Sequence, residues 1–109
     1  MDDQTFQTHA DTALESLKHA LYDAEEDGGF EVDESGGALQ IAFDDPPGKF
    51  IVSPNSPVRQ IWISALSTSF KLDWSEAANG FVLPKTGEAL KPLVARLISE
   101  QTGSPVSLS

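Results

Sequence analysis

Ser53-Pro54-Asn55-Ser56-Pro57-Val58-Arg59-Gln60-Ile61-Trp62-Ile63-Ser64 decides the fold. Pro54 to Pro57 has the composition of a turn, since proline fixes φ and Asn and Ser bond readily to nearby backbone. Residues 58–64 then change side at every step. Ile61 and Ile63 face one way, while Gln60, Trp62 and Ser64 face the other. A single layer of helices cannot bury both sets, so this strand belongs to a sheet covered on one face only.

Upstream, the same period of two recurs. Phe30 and Val32 alternate with acids, and after the turn Ser35-Gly36-Gly37, Leu39, Ile41 and Phe43 share a face, which reads as a hairpin. Asp44-Asp45-Pro46-Pro47-Gly48 is a second turn leading into a strand over residues 49–53. Downstream, Phe70, Leu72 and Trp74 indicate a fifth strand and Phe81 to Leu83 a short sixth. At both ends the period lengthens to that of a helix. Phe6, Ala10, Ala13, Leu14, Leu17 and Leu21 form one stripe over residues 4–23, with Asp3 as the expected N-cap, and Asp23 to Gly29 reads as an acidic loop ending it. Leu90, Leu93, Val94, Leu97 and Ile98 form a second stripe that stops at Gly103. Pro92 inside it predicts a distorted or late start, because proline has no N–H to give an interior position. The order predicts an α+β fold: a two-layer αβ-sandwich, two helices packed on one face of a five- to six-stranded antiparallel sheet.

The 109 residues suit one domain, with 39% hydrophobic and 22% charged residues and no apolar run near the ~20 that span a bilayer. Met1-Asp2-Asp3-Gln4 has neither the basic-then-apolar order of a secretory signal nor the Arg-rich character of a transit peptide, so a chain that is cytoplasmic, or already processed, is expected. Absence of cysteine removes disulfides, thiolate metal sites and Cys nucleophiles. The net charge of −10 argues against nucleic acid and anionic membranes and for cations or basic proteins. That charge is concentrated. Residues 1–45 hold 13 of the 17 acids and a single base, Lys18. Clustered carboxylates are oxygen ligands suited to hard cations such as iron, manganese, calcium or magnesium. Acids exposed on a helix end, a loop and a strand make no preorganised cage, so any binding should be weak and most ligands should remain water. A purely solvated acidic face is the simpler alternative. His9 and His19 stand about 15 Å apart along a helix and cannot share an ion; His9 is expected to be a plain surface residue. No phosphate loop, H-E-x-x-H or other catalytic motif is present, and catalysis is not expected.

Gln60-Ile61-Trp62-Ile63-Ser64, with Asp73-Trp74 shortly after, resembles the signature strand of the frataxin family. Ala10-Asp11, Leu14-Glu15-Ser16-Leu17, the Gly36-Gly37 turn and the closing helix fall in frataxin order, so the likeness covers nearly the whole chain. Its start resembles bacterial members, and the segment from Trp62 to Trp74 the mitochondrial ones. The resemblance implies weak iron binding on an acidic ridge. It also implies a role as partner and regulator of the cysteine desulfurase and scaffold protein of iron–sulfur cluster assembly, as a monomer that iron can assemble into oligomers. The metal residues implied are Asp11, Glu15, Asp23, Glu25, Glu26, Asp27, Glu31 and Asp33. Lys18, His19 and Tyr22 occupy ridge positions commonly acidic in bacterial frataxins, which moves the implied metal region toward the helix end and strand one. A docking surface is implied at Asn55, Gln60, Trp62 and Lys71, where an outward Trp needs something to cover it; the alternative is an indole lying flat across its neighbours. A metal-free acidic module acting on a basic partner is the second reading of the whole.

Overall fold

The computed structural model describes residues 1–44 and 46–108, with the side chain of Asp27 outside that description. Helix α1 (Asp3–Gly28) is followed by strands β1 (Phe30–Ser35), β2 (Ala38–Asp44), β3 (Pro47–Asn55), β4 (Gln60–Ala65), β5 (Thr68–Ser75) and β6 (Gly80–Val82), then helix α2 (Leu90–Thr102). The six strands form one antiparallel sheet in chain order. Both helices lie on the same face of it. Phe6, Leu17 and Leu21 of α1 and Leu93, Leu97 and Ile98 of α2 share a buried core with Ile41, Phe50, Val52, Ile61, Ile63, Leu72 and Phe81 of the sheet. This is the expected two-layer sandwich, with six strands. Ile61 and Ile63 are buried at 0% and 1% exposure, while Trp62 between them is only half-buried on the opposite face.

The first helix differs from expectation at both ends. Its N-cap is Asp2, whose carboxylate accepts the Thr5 N–H at 2.7 Å. At the other end the acidic segment 23–28 is helical rather than a loop, because Ala and Glu are good helix formers and Ala24 packs on the core. Gly28 then passes so close over Phe30 that a Cβ there would stand 2.2 Å from the ring, and Gly29 closes the helix in the left-handed conformation (φ 72°). At 26 residues α1 is about 39 Å long, matching the molecule's 40 Å long axis.

Pro92 neither delays nor distorts α2. It is the third residue of the helix, in the first turn, where an N–H has no intrahelical partner, and Leu93 makes the first bond, to the Ala89 carbonyl at 3.0 Å. Gly103 ends the helix as expected. β3 runs past the expected 49–53 at both ends and takes in Pro54 and Asn55 of the expected turn. Ser56 and Pro57 do turn, in a short 3₁₀ helix that also includes Val58, so β4 begins at Gln60 and not at residue 58. Asp45 of the second expected turn lies outside the described residues.

Candidate functional site

Two surfaces hold the residues singled out by sequence. The first is the acidic flank of α1 and β1. From Asp11 to Asp23 the helix rises about 18 Å, so the carboxylates along it are strung out rather than gathered. Asp11 accepts from the Gln7 amide at 2.7 Å. Glu15 lies 2.9 Å from Lys18 Nζ and 3.0 Å from His19 Nε2, and the Lys18 hydrogen bond holds its carboxyl below the ordinary glutamate value. Lys18 also reaches to 3.8 Å from Glu34. Lys18 therefore offsets part of the charge of the carboxylates beside it.

Glu25 has a different task. Its Oε2 accepts the backbone N–H of Val32 at 2.7 Å. β1 is an edge strand, so an outward N–H of a buried residue needs such a partner. Asp23 and Glu26 are exposed on the last turns of α1. Asp27 belongs to the same turns, and its side chain lies outside the described residues. Glu31 and Asp33 alternate with buried Phe30 and Val32 and so stand on the open face of the sheet, away from the helices. Among the described residues, no three His, Asp or Glu side chains converge on a point that could hold a metal ion.

The second surface is the open face of β3, β4 and β5. The register sets Ser53 opposite Trp62 and Trp62 opposite Lys71; Asn55 faces Gln60 and Gln60 faces Asp73. These residues therefore come together. Trp62 Nε1 donates to Gln60 Oε1 at 2.9 Å, Gln60 Nε2 donates to Asp73 Oδ1 at 2.9 Å, and Lys71 Nζ sits 4.9 Å from the centre of the Trp62 ring. The indole is neither free in solvent nor simply flat on apolar neighbours. On the same face Ile51, opposite Ser64, leaves 38% of its surface exposed.

Asp73 enters the sequence reading only within the Asp73-Trp74 resemblance and is given no place in the docking surface there. Parity and an antiparallel pairing point to it once the β4–β5 register is known, and that register rests on a two-residue turn at Leu66 and Ser67, both with positive φ (52° and 59°). His9 also departs from expectation. It is half-buried, stacked on Trp74 with ring centres 3.7 Å apart and planes at 15°. Trp74 in turn packs edge-on to Phe81 at 5.3 Å and donates to Glu76 at 2.8 Å. The two tryptophans thus serve opposite faces: Trp74 closes the core beneath α1, and Trp62 looks outward.

The chain is similar to known proteins in sequence and in fold. A family model described as frataxin-like domain matches residues 1–104. The iron–sulfur cluster assembly protein CyaY of Pseudomonas fluorescens strain SBW25 is 34% identical over 93 residues, 84% of each chain. The protein of the same name from Azotobacter vinelandii is 33% identical over 92 residues, 83% of each chain. In structure, the frataxin from Psychromonas ingrahamii superposes with a TM-score of 0.84 over 100% of this chain and 99% of its own, at 18% identity.

Proposed function

We propose, because this chain belongs to the frataxin-like domain family, that it serves iron–sulfur cluster assembly as a binding partner of the machinery and not as an enzyme. The observation that carries the reading is the block around Trp62. An aromatic anchor on an open sheet face, braced by hydrogen bonds and a cation, is the kind of residue that concentrates binding energy at an interface. The open face of β3 to β5, with Asn55, Trp62 and Lys71 contributing contacts, docks on the scaffold protein. The acidic flank of α1 and β1 meets a basic surface of the cysteine desulfurase. With a net charge of −10, the same flank disfavours nucleic acid and anionic membrane.

Iron enters as cargo, not as a resident cofactor. Glu15 is engaged by Lys18 and His19, Glu25 by the β1 backbone and one oxygen of Asp11 by Gln7, which leaves Asp23, Glu26, Glu31 and Asp33, with the second oxygen of Asp11, as exposed carboxylate groups able to hold a hydrated ion by one or two oxygens each. Such sites bind weakly and discriminate poorly among hard cations. The metal-free reading is favoured by those same engaged carboxylates, and an Fe²⁺ titration followed by backbone amide signals separates the two. Signal loss confined to Asp23–Glu34 supports iron carriage; no perturbation at millimolar iron removes it and leaves the flank as a protein-docking surface alone. Docking itself is tested by the affinity of Trp62→Ala for a reconstituted desulfurase–scaffold complex, where a loss above tenfold is expected. The protein is expected to act in the cytoplasm, as a monomer at low iron.

A further inference from the structure

The outward face of β4 and β5 carries a short relay whose chemistry has only one workable direction. Asp73 is a carboxylate and can only accept, so the Gln60 amide must turn its NH₂ toward Asp73. That leaves the Gln60 carbonyl oxygen pointing along the strand at Trp62 Nε1, a group that can only donate. Reversing the amide would set oxygen against oxygen at one end and N–H against N–H at the other. From the opposite strand Lys71 lies over the ring, opposite Trp62 in register as Asp73 is opposite Gln60. The indole is therefore held both at its nitrogen and across its face.

We infer that Asp73 is a positioning residue: acting through Gln60, it sets the orientation of the Trp62 indole before any partner arrives. The inference rests on the docking role given to Trp62 above. A half-exposed tryptophan without a partner for its N–H samples several rotamers, and a complex that needs one of them must select it. Fixing the ring in advance removes that ordering cost, which corresponds to about three- to tenfold in affinity for one such side chain. Gln60 is on this account a brace, both ends of its amide being engaged within the protein.

The test uses the whole chain and reads the free protein and its complex separately. In Asp73→Ala, the Trp62 indole Nε1–H signal should broaden or shift and exchange faster with water, the melting curve should change little, and affinity for the desulfurase–scaffold complex should fall about three- to tenfold. Gln60→Glu keeps an acceptor for the indole but opposes two carboxylates, and should behave alike. The double variant Q60E/D73N reverses the outer bond, since the introduced amide can donate to the introduced carboxylate, and it leaves the total charge unchanged. It should restore both the indole signal and the affinity. An indole signal unmoved by either single variant overturns the inference, as does a double variant no better than the singles. A loosened indole with unchanged affinity also overturns it; if Trp62→Ala in the same assay leaves affinity unchanged as well, the docking role has failed with it, and if Trp62→Ala weakens binding, the fault lies with the positioning alone.

Discussion

The acidic flank of α1 and β1 and the open face of β3 to β5 differ in how they use charge. Residues 1–45 carry 13 acids, yet two of them are held by other groups of the protein: Glu15 by Lys18 and His19, Glu25 by the N–H of Val32. Beside Trp62 the charges are used differently: Lys71 and Asp73 are each fixed by register to act on one neighbour. The flank has field without geometry, suited to attracting a cation or a basic surface from a distance. The β4–β5 block has geometry with little field, suited to recognising one surface at contact. A protein that must find a large partner and then bind it in one pose needs both.

The largest effect that tests this division comes from adjacent residues. Truncating Ile61, fully buried, should leave a cavity and cost about 2–5 kcal/mol of stability, a large share of what a domain of this size has. Trp62→Ala removes no core packing, so it should lower the melting temperature far less while weakening the desulfurase–scaffold complex by about 2 kcal/mol or more. Thermal melts and binding isotherms on both variants decide it. If Trp62→Ala unfolds the protein as badly as Ile61→Ala and its folded fraction binds normally, the open face is structural and the contrast disappears.

Glu25 offers a smaller effect within the flank. Replacing it by Ala leaves the Val32 N–H of the edge strand without its acceptor, at a cost of about 1–3 kcal/mol, whereas Glu25→Gln keeps an acceptor oxygen and should recover most of it. Amide exchange at Val32 should accelerate in the first variant and stay slow in the second. Equal stability of all three proteins would return Glu25 to the pool of carboxylates open to a metal.

Smaller again is a pH effect at the far end of the molecule. Arg96 makes a bidentate pair with Glu88 at 2.7 and 2.9 Å, closing the segment after β6 onto α2, and holds the Glu88 carboxyl below its ordinary value of 4.5. A carboxylate whose value is depressed on folding contributes stability that is fully present above the unfolded value and lost as pH falls through the folded one. The melting-temperature gap between the wild type and Glu88→Gln should therefore be constant from pH 7 to about 5 and close below 4.5, its size that of a surface pair, about 1 kcal/mol or less. A gap that persists undiminished at pH 3 would mean that Glu88 acts through packing and not through its charge.

Much of this architecture was readable before any coordinates, and the misses have common causes. Alternation at Ile61, Trp62 and Ile63 survives because period two leaves a half-covered strand only one way to lie. The helical stripes survive for the same reason. What failed were boundaries, where local composition competes with packing: Asp23 to Gly28 reads as a charged loop, but Ala24 on the core and Glu25 on the β1 backbone carry the helix onward. Pro92 reads as a breaker until the helix start is fixed two residues before it. In the site, Trp62, Gln60 and Lys71 could be named from the strand and its resemblance to a family. Asp73 could not, since its role depends on a register set by Leu66 and Ser67, residues that carry none of the usual Asn-Gly signal for such a turn. The stacking of His9 on Trp74 is likewise a contact between distant parts of the chain, invisible to periodicity.

The smallest predicted effect concerns the flank as a whole. Thirteen acids against one lysine in residues 1–45, most of them along one long helix and the strands that follow it, should repel one another in the folded state more than in the expanded chain. Exposed charges interact over about 30 Å at 0.01 M salt and about 8 Å at physiological strength, so adding salt should relieve the repulsion and raise the melting temperature by a few degrees. Lys18 works in the same direction from inside, lying 2.9 Å from Glu15 and 3.8 Å from Glu34. Removing it in Lys18→Gln should lower the melting temperature at 0.01 M salt and steepen its rise with salt, the gap between the two proteins narrowing toward about 0.3 M as the longer-range repulsions that Lys18 offsets are screened, while its contact pairs with Glu15 and Glu34 are screened less. The comparison surface supplies the control: Lys71→Gln, on the sparsely charged β4–β5 face, should leave the salt slope as it is in the wild type. Parallel salt curves for Lys18→Gln and the wild type would mean that the acids stand too far apart to feel one another, and the flank would lose its claim to a concentrated field.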